Sequence, residues 1–396
     1  MRIALLSQYF KPEMGAPQNR LYEMMKGLQA LGQDVCVVTG MPNYPTGTIF
    51  EAYKNKFTYQ EDIDGIPAKR YWLYTSVSRK AVPRIINMLS FSMTALFALR
   101  YLRSKHPDYI VVESPPLMLC LTAWFLCKLT GAKLVTNVSD LWPLSAVELG
   151  AIGENGLPYK VLAAIESFAY KHSLFCMGQS EEIVEFIKAH GAKDVYLFRN
   201  GVDPARFEGL HKDTQTEKLC IVYAGLLGYA QGIAGICKNI NFKEIGAEFH
   251  IYGAGGEKSQ IEEYIANHKD NGIFYHGSVD SKQIPGILVN ADISLIPLVK
   301  NIFGAVPSKI YESMAAGIPI LFSGEGEGQR IVQNNDIGWT VPAKDYQQMK
   351  EVINSIVQHP ETIKAKSSNC RDCASKKFNR PKQVAALKDY LEQKLK

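Results

Sequence analysis

Short apolar runs alternate along the chain with longer stretches of helical periodicity. A helix predicted over Pro17–Leu31 ends at Gly32 and follows the first of these runs. Runs of four to seven mainly apolar residues, separated by helices, are typical of a parallel sheet covered on both faces. In the first half of the chain the predicted strands are Ile3–Ser7, Asp34–Thr39, Tyr109–Glu113, Lys133–Val138, Leu174–Met177 and Val195–Phe198.

The alternation breaks near the middle of the chain and then begins again. The break is a polar stretch that follows Arg199–Pro204 and runs to Lys218. A chain of 396 residues exceeds what one core usually supports, so we predict an α/β protein of two Rossmann-like, doubly wound domains in tandem. In the second half the predicted strands are Leu219–Ala224, Glu248–Tyr252, Gly272–Tyr275, Asp292–Pro297 and Ile318–Phe322.

We place the first domain at residues 1–198, the second at 199–375, and a C-terminal helix at 376–396 that could pack back on the first domain. The carboxyl ends of both sheets would then face one central cleft, which is where ligands bind in such folds.

Composition and charge narrow the class of protein only a little. Apolar content of 46% and charged content of 21% describe an ordinary globular chain. A net charge of +5 permits attraction to phosphate or to an anionic membrane without singling out nucleic acid. The chain begins with a strand and shows no signal-peptide pattern, so we expect a cytoplasmic protein with reduced cysteines. Cys370 and Cys373 form an unsupported C-x-x-C pair, for which a core role is the simpler interpretation.

Two apolar stretches of the first domain leave two interpretations open. Ile85–Leu99 and Pro116–Leu129 are both too short to predict a membrane span and would ordinarily be buried helices. Alternatively, the first is an interfacial helix on anionic lipid. The basic residues that would contact the lipid are Arg79, Lys80, Arg84, Arg100 and Arg103.

A short helix with its own start and stop signals is the most informative local pattern. Pro307 suits a first turn, Ser308 could cap it, and Gly317 ends it. Lys309 adds a positive charge at the end of the helix that already favours anions, and Glu312 lies one turn further on. This combination suits a nucleoside diphosphate, with the cation and amides on phosphate and the carboxylate on sugar hydroxyls. Without that ligand, both would be ordinary surface side chains.

Two other motifs imitate ligand sites. Asp62-Ile63-Asp64 resembles a manganese-binding D-x-D, but Gly65 follows it, and a hairpin turn is the better prediction. Gly253-Ala254-Gly255 is only part of a dinucleotide fingerprint and lacks a convincing acidic partner.

An ordered set of motifs resembles glycosyltransferase family 4, the retaining sugar-nucleotide transferases of GT-B fold. Each piece is weak alone, but their order along the chain is informative. The resemblance is nearest to the bacterial O-antigen and capsule subgroup that includes N-acetylfucosaminyl transferases. The pieces are the Gly15-Ala16 loop, Ser139-Asp140-Leu141-Trp142-Pro143, Asn200–Asp203, Tyr223-Ala224-Gly225, Tyr229–Gly232, Ile251–Gly255 and the helix at Pro307–Gly317.

The chain departs from the family pattern at three places. Gly304 stands where an E-x7-E motif would carry its first glutamate, eight residues before Glu312. The cations that commonly clamp the diphosphate correspond to Leu226 or Leu227 and to Gln231, so Lys309 is the substitute cation, which Arg20 or Arg330 could assist. The histidine often found near the donor sugar is replaced around Ser139 and Asp140.

The resemblance implies a role for each matching residue. Lys309, the amides near Ser308 and the loops at Gly15 and Gly225 would hold the diphosphate, and Glu312 would accept hydrogen bonds from the ribose. Asp140 would orient the donor sugar or receive the acceptor proton, unless it is a helix N-cap. Glu13 is a second candidate for that role, and Trp142 is either a wall under a sugar or a core residue. The remaining expected substrate contacts are Ala16, Arg20, Ser139, Gln231 and Gly253.

With these roles we predict a glycosyltransferase that needs no metal or cofactor and uses a UDP-sugar, and the resemblance alone implies that it retains the configuration of the sugar. The donor sugar would be a hexosamine or an N-acetyl-deoxyhexosamine. The acceptor would be a polyprenyl-diphosphate-linked saccharide, reached by peripheral contact with the inner membrane. A UDP-sugar 2-epimerase of the same fold and a catalytically silent partner subunit are the alternatives.

Overall fold

The computed structural model describes residues 1–77, 81–148, 152–154, 156–212 and 218–396. The chain divides into two compact units. The first comprises Met1–Arg199 with Pro381–Lys396, and the second comprises Asn200–Arg380. The sequence placed this boundary between residues 198 and 199, and the structure divides the chain after Arg199. Arg79 and Lys80, two of the basic residues expected to contact lipid, lie outside the described residues.

One sheet of eight described strands forms the centre of the first unit, in the order β3-β4-β2-β1-β5-β6-β7-β8. Neighbouring strands are parallel except for β3 and β4, which form a hairpin at one edge. The strand order reverses between β1 and β5, and this switch point is where ligands bind in doubly wound folds. The strands are β1 Arg2–Ser7, β2 Asp34–Gly40, β3 Thr58–Ile63, β4 Ile66–Tyr71, β5 Tyr109–Ser114, β6 Lys133–Val138, β7 Phe175–Gly178 and β8 Val195–Leu197.

Helices cover both faces of this sheet. Because successive strand side chains point to opposite faces, Leu5 packs into one buried cluster and Leu6 into the other. A 3-10 segment at Ala95–Ala98 joins the second helix to the third. The helices are α1 Ala16–Ala30, α2 Ala81–Thr94, α3 Leu99–Lys105, α4 Leu117–Thr130, α5 Leu144–Glu148, α6 Leu157–His172 and α7 Glu181–Ala189.

The second unit contains a six-stranded parallel sheet in the order β11-β10-β9-β12-β13-β14. Its switch point lies between β9 and β12. The strands are β9 Leu219–Ala224, β10 Ala247–Tyr252, β11 Ile273–Tyr275, β12 Ile293–Pro297, β13 Ile320–Ser323 and β14 Gly338–Val341. The helices are α8 Ile233–Asn239, α9 Lys258–Asn267, α10 Ile284–Val289, α11 Lys309–Ala316, α12 Glu327–Asn334, α13 Tyr346–Gln358 and α14 Glu361–Lys376.

The last helix, α15 (Arg380–Leu395), returns to the first unit. Its residues Val384, Leu387 and Leu391 are buried in the cluster that also contains Leu5. The Tyr109 hydroxyl donates a hydrogen bond of 2.8 Å to the carbonyl oxygen of Leu391. The C-terminal segment is therefore part of the first unit's core.

The hairpin predicted at Asp62–Gly65 is confirmed. Asp64 and Gly65 both have positive φ, of 52° and 86°, as a two-residue hairpin turn requires. The Asp62 carboxylate accepts a hydrogen bond of 2.6 Å from the Gly65 amide, so that carboxylate serves the turn.

The apolar stretch that begins at Ile85 differs from the buried helix that we favoured. Within the described residues, Ile85–Lys105 is the one helical stretch with the length and composition to cross a membrane, and 33% of its apolar 18-residue window is buried. Phe91, Ala95 and Ala98 are buried, whereas Met93 and Phe97 are exposed. In contrast, α4 has seven buried residues and is the core helix that the sequence predicted.

Candidate active site

The Gly225 loop and Lys309 meet at the switch point of the second sheet. Gly225 follows β9, and Lys309 is the first residue of α11. The half-buried Lys309 side chain crosses over Gly225, so a β-carbon on residue 225 would overlap Lys309 Cε. Gly225 also has a φ of 149°, which favours glycine. The glycine therefore makes room for the lysine, which the motif alone did not reveal.

The Lys309 ammonium is partly buried and has no ion-pair partner in the described part of the chain. Burial lowers the pKa of Lys309, and the Glu312 carboxylate opposes this shift. Its Nζ lies 5.3 Å from the centre of the Tyr223 ring. In the described part of the chain no carboxylate oxygen lies within 4.0 Å of Nζ. An ammonium without an ion-pair partner can bind an anionic group of a ligand.

The start of α11 differs in one respect from the prediction. Ser308 precedes the helix, but its side chain makes no capping hydrogen bond, so the predicted cap is wrong. The reason is its backbone, which is helical (φ −60°, ψ −24°), whereas a capping side chain needs an extended backbone to reach the amides ahead. Gly317 ends the helix in the left-handed conformation, as predicted. The positive end of the helix dipole thus lies beside Lys309 without a side-chain cap.

Glu312 has a cationic neighbour that the sequence did not predict. Arg206 Nη1 lies 3.4 Å from Glu312 Oε1, and both side chains are about one-third exposed. An exposed pair of this kind contributes little to stability. Among the described contacts the pair uses only Oε1 of Glu312, so the other carboxylate oxygen is left for another donor.

Two further residues of this unit were expected to contact substrate. Gln231 Oε1 is buried and has no hydrogen-bond partner among the described residues, so a polar group of a ligand could satisfy it. Gly253 has a φ of 142°, and a β-carbon there would overlap the carbonyl oxygen of Gly225. The approach of these two loops explains the glycine without a ligand.

In the first unit, Arg20 lies in a buried polar network. Its Nη2 donates to Glu113 Oε1 at 2.8 Å, and the guanidinium also contacts Gln179 and Ser139. Ser139 and Asn137 both donate to the Glu113 carboxylate. All five side chains lie at the ends of β5, β6 and β7 or on α1, and each residue is less than 10% exposed. The Arg20 charge is therefore balanced by Glu113, which weakens the expectation that Arg20 assists at the diphosphate.

Asp140 follows β6 at the carboxyl edge of the same sheet and is half-buried. Burial raises its pKa, and the nearby Arg20 guanidinium opposes that shift. Asp140 is not the N-cap of α5. The helix begins at Leu144, so the residue directly before it is Pro143. Trp142 is half-buried, which is compatible with either role considered for it.

Glu13 organises the loop after β1. One carboxylate oxygen accepts hydrogen bonds of 2.7 Å and 2.9 Å from the amides of Asn43 and Tyr44, and the other accepts one of 3.2 Å from Phe10. The side chain is buried, and burial raises its pKa to about 7. Three backbone bonds give Glu13 a structural role, whereas its role as a proton acceptor stays a prediction.

The loop between Glu13 and α1 ends at Gly15, and the exposed Ala16 is the first helical residue. A β-carbon on Gly15 would overlap Gln18 Oε1. That oxygen is buried and has no hydrogen-bond partner among the described residues. A polar ligand atom at this helix start could satisfy it.

Sequence reasoning missed Glu113, Gln179 and Arg206. Glu113 did carry a signal, because a lone carboxylate inside the apolar run Tyr109–Ser114 must be paired if it is buried. Gln179 and Arg206 carried no such signal, since each contacts a functional residue that is distant in sequence.

Models of known families match both halves of the chain. Residues 15–201 match a glycosyl transferase 4-like domain, and residues 207–373 match the glycosyl transferases group 1. The chain therefore belongs to the glycosyltransferases that join these two domains. The expected two-domain α/β architecture of GT-B type is confirmed.

Individual similar proteins agree with this family. WcaI of Escherichia coli strain K12, named for colanic acid biosynthesis, is 24% identical over 335 residues, which are 80% of this chain and 82% of WcaI. A sucrose-phosphate synthase from Thermosynechococcus elongatus has 15% identity and a TM-score of 0.75, over 99% of this chain and 98% of that one. Anabaena HepE in complex with UDP has 15% identity and a TM-score of 0.72, over 99% and 100%. The two structures support the fold alone.

Proposed function

We propose that this protein transfers a sugar from a UDP-sugar to a lipid-diphosphate-linked saccharide during surface polysaccharide synthesis, with retention of configuration and without a metal. The sugar we propose is a hexosamine or an N-acetyl-deoxyhexosamine. The observation that carries the proposal is Lys309, a half-buried ammonium without an ion-pair partner, lying over Gly225 at the switch point of the second sheet.

The donor site follows from the charges in the second unit. As the bond from the sugar C1 to the diphosphate oxygen breaks, negative charge grows on the UDP leaving group. Lys309 and the start of α11 would stabilise that charge, and preorganised groups of this kind are usually the largest single contribution to catalysis. Glu312, which lies beside Arg206, would accept hydrogen bonds from the ribose. HepE, which shares this fold, has UDP bound, and we adopt UDP as the nucleotide of the proposal by that analogy.

The transfer also forms a bond from an acceptor oxygen to the sugar C1 and releases the acceptor's proton. Asp140 is our candidate to orient the donor sugar or to receive this proton. Its raised pKa supports the second role, because a carboxylate is a better base when burial disfavours its charge. Arg20, held by Glu113, limits that rise.

The acceptor is proposed on other grounds. The similarity to WcaI, named for colanic acid biosynthesis, supports a growing surface polysaccharide as the acceptor class. Such a saccharide carried on a polyprenyl diphosphate would require the chain to work in the cytoplasm, in peripheral contact with the inner membrane.

The test begins with a screen of nucleotide sugars for thermal stabilisation, since a ligand of the folded state raises the melting temperature. We expect UDP-sugars to stabilise the protein and EDTA to leave turnover unchanged. Lys309→Ala should lower kcat about 100-fold or more, as loss of one charge-stabilising group does. Glu312→Ala should mainly raise KM for the donor.

The exposed Lys269→Ala variant, located after α9, is the matched control, since it also removes a lysine of the second unit. Full activity of Lys309→Ala would refute the site assignment. An epimer formed from UDP-sugar alone would support the epimerase alternative, and no turnover of any donor would support a silent subunit.

A further inference from the structure

The α2–α3 segment presents an apolar ridge to solvent. We use "apolar ridge" for the exposed side chains of Val82, Ile85, Ile86, Leu89, Met93 and Phe97. Apart from the adjacent pair Ile85 and Ile86, they are spaced three or four residues apart, which places them along one side of a helix. Met93 and Phe97 are the most prominent described members near its end, at 64% and 65% exposure. A contiguous apolar surface of this kind marks an interaction site.

Aromatic residues from the β3–β4 hairpin extend the apolar ridge. Phe57 lies just before β3 and is half-exposed, and its ring meets the Phe97 ring edge to face at 5.4 Å. Trp72 follows β4 and is 40% exposed, with its amide donating to the Phe57 carbonyl at 2.8 Å. Tryptophan favours the boundary between water and lipid because its large ring is apolar and its N–H is polar.

The opposite side of the same helices is fixed to the first unit. Phe91, Ala95 and Leu102 are buried in the cluster with α4. The Thr122 hydroxyl donates to the Ser92 carbonyl, and the Thr94 hydroxyl donates to that of Trp72. The segment could cross a bilayer only by leaving this core. Its attachment therefore favours a helix that lies flat in the membrane surface.

Charge selects the kind of surface. The segment from residue 65 to residue 107 carries eight of the chain's 44 Lys and Arg residues and none of its 39 Asp and Glu residues. Of the eight, only Arg70 is fully buried among those described, in an ion pair with Glu61. Arg100 and Arg103 are exposed at the α3 end of the ridge. A ridge whose own segment of the chain carries cations and no carboxylate is complementary to anionic lipid headgroups.

We propose that the apolar ridge inserts into the headgroup region of an anionic bilayer leaflet while the flanking basic residues bind lipid phosphates. This inference names the surface that would bring the first unit to a lipid-linked acceptor. Its biological role rests on the proposed function. Lipid binding itself is independent of catalysis.

The experiment is flotation of the full chain with vesicles of phosphatidylcholine, with and without 30% phosphatidylglycerol. We expect flotation with the anionic vesicles, weaker flotation with the neutral ones, and partial loss in high salt. Met93→Glu with Phe97→Glu should lower the bound fraction at least about tenfold, since each removes a large apolar group from lipid. The control pair is Leu31→Glu with Phe274→Glu, two exposed apolar residues on α1's end and on β11.

Unchanged melting temperature of the Met93→Glu/Phe97→Glu variant would show that it is folded. Flotation of that variant at the native level, or no flotation of the native chain, would overturn the proposal. Light scattering tests whether the apolar ridge instead binds a second copy of the chain. If the native protein is a dimer and the variant is a monomer, the ridge is a dimer interface and the proposal is overturned. Thermal stabilisation by UDP-sugars reports on the proposed function separately: no stabilisation by any UDP-sugar beside normal flotation would contradict the function and leave the membrane surface standing.

Discussion

Glu166 on α6 connects burial in the first unit to a stability that depends on pH. Its residue is 3% exposed, and its Oε1 accepts a hydrogen bond of 2.8 Å from the Tyr170 hydroxyl. Burial raises the Glu166 pKa from 4.5 to about 7, and the Tyr170 bond lowers it only in part. In the unfolded chain this carboxyl would have its ordinary pKa. The folded protein therefore binds more protons than the unfolded chain between these two values.

The sign and size of the effect follow from that difference. Because the folded pKa is the higher one, the contribution of Glu166 to stability is greatest below about pH 4.5 and is lost as pH rises through about 7. At 1.36 kcal/mol per pKa unit, the ionised Glu166 costs the fold about 3 kcal/mol above that range. Glu166→Gln keeps an acceptor for Tyr170 and removes the charge. We expect the variant to be more stable by about 3 kcal/mol near pH 8 and to equal the native protein near pH 4.

Thermal unfolding followed by calorimetry at a series of pH values measures this. For a unit of about 200 residues, 3 kcal/mol corresponds to a melting temperature raised by about 6–12 °C. Glu13, whose pKa is also raised to about 7, will leave part of the slope in both proteins. Glu185→Gln, an exposed change on α7, is the matched control and should follow the native curve. A Glu166→Gln variant that gains nothing near pH 8 would refute the reasoning.

Two further changes test the sites themselves. Glu113→Gln should cost about 3 kcal/mol or more of stability because it leaves Arg20 buried beside a neutral amide; an undiminished melting temperature would contradict the buried pair, and Glu113→Met with Arg20→Met should recover part of the loss. Gly225→Ala should weaken UDP binding about tenfold or more in calorimetric titration, because its β-carbon displaces the Lys309 side chain. Gly286→Ala, where a β-carbon meets open space, is its control, and equal UDP affinity of the two variants would refute the role of Gly225.

Most of the sheet structure could be predicted because its strands are short, apolar and bounded by helices. The strands β6 and β9 have the predicted limits. Most of the other observed strands begin or end within one or two residues of their predicted limits. The strands without a full prediction are β3, β4 and β14, all of which lie at or near a sheet edge. Their sequences are polar or mixed, since an edge strand buries only part of its surface. Apolar periodicity is therefore a weak signal for these strands.

The orientation of α2 could not be read from composition. A mainly apolar stretch predicts a buried helix. The same apolar pattern arises whether both faces of the helix pack on protein or one face contacts another apolar surface. The polar pairs were beyond reach for a different reason. Arg20 and Glu113 are 93 residues apart, and Arg206 and Glu312 are 106 apart. Only the fold brings each cation to its carboxylate.

The missing carboxylate at Gly304 can be explained from the backbone. Gly304 is buried and has a φ of 80°, a conformation that glycine adopts easily and glutamate only with strain. A glutamate at this position would also have to bury its charge. Gly304→Glu would therefore disturb the loop before α11 and would not restore a family motif. If this chain recognises its donor through a carboxylate at α11, that carboxylate must be Glu312, which is why the Arg206 contact and the position of Lys309 matter together.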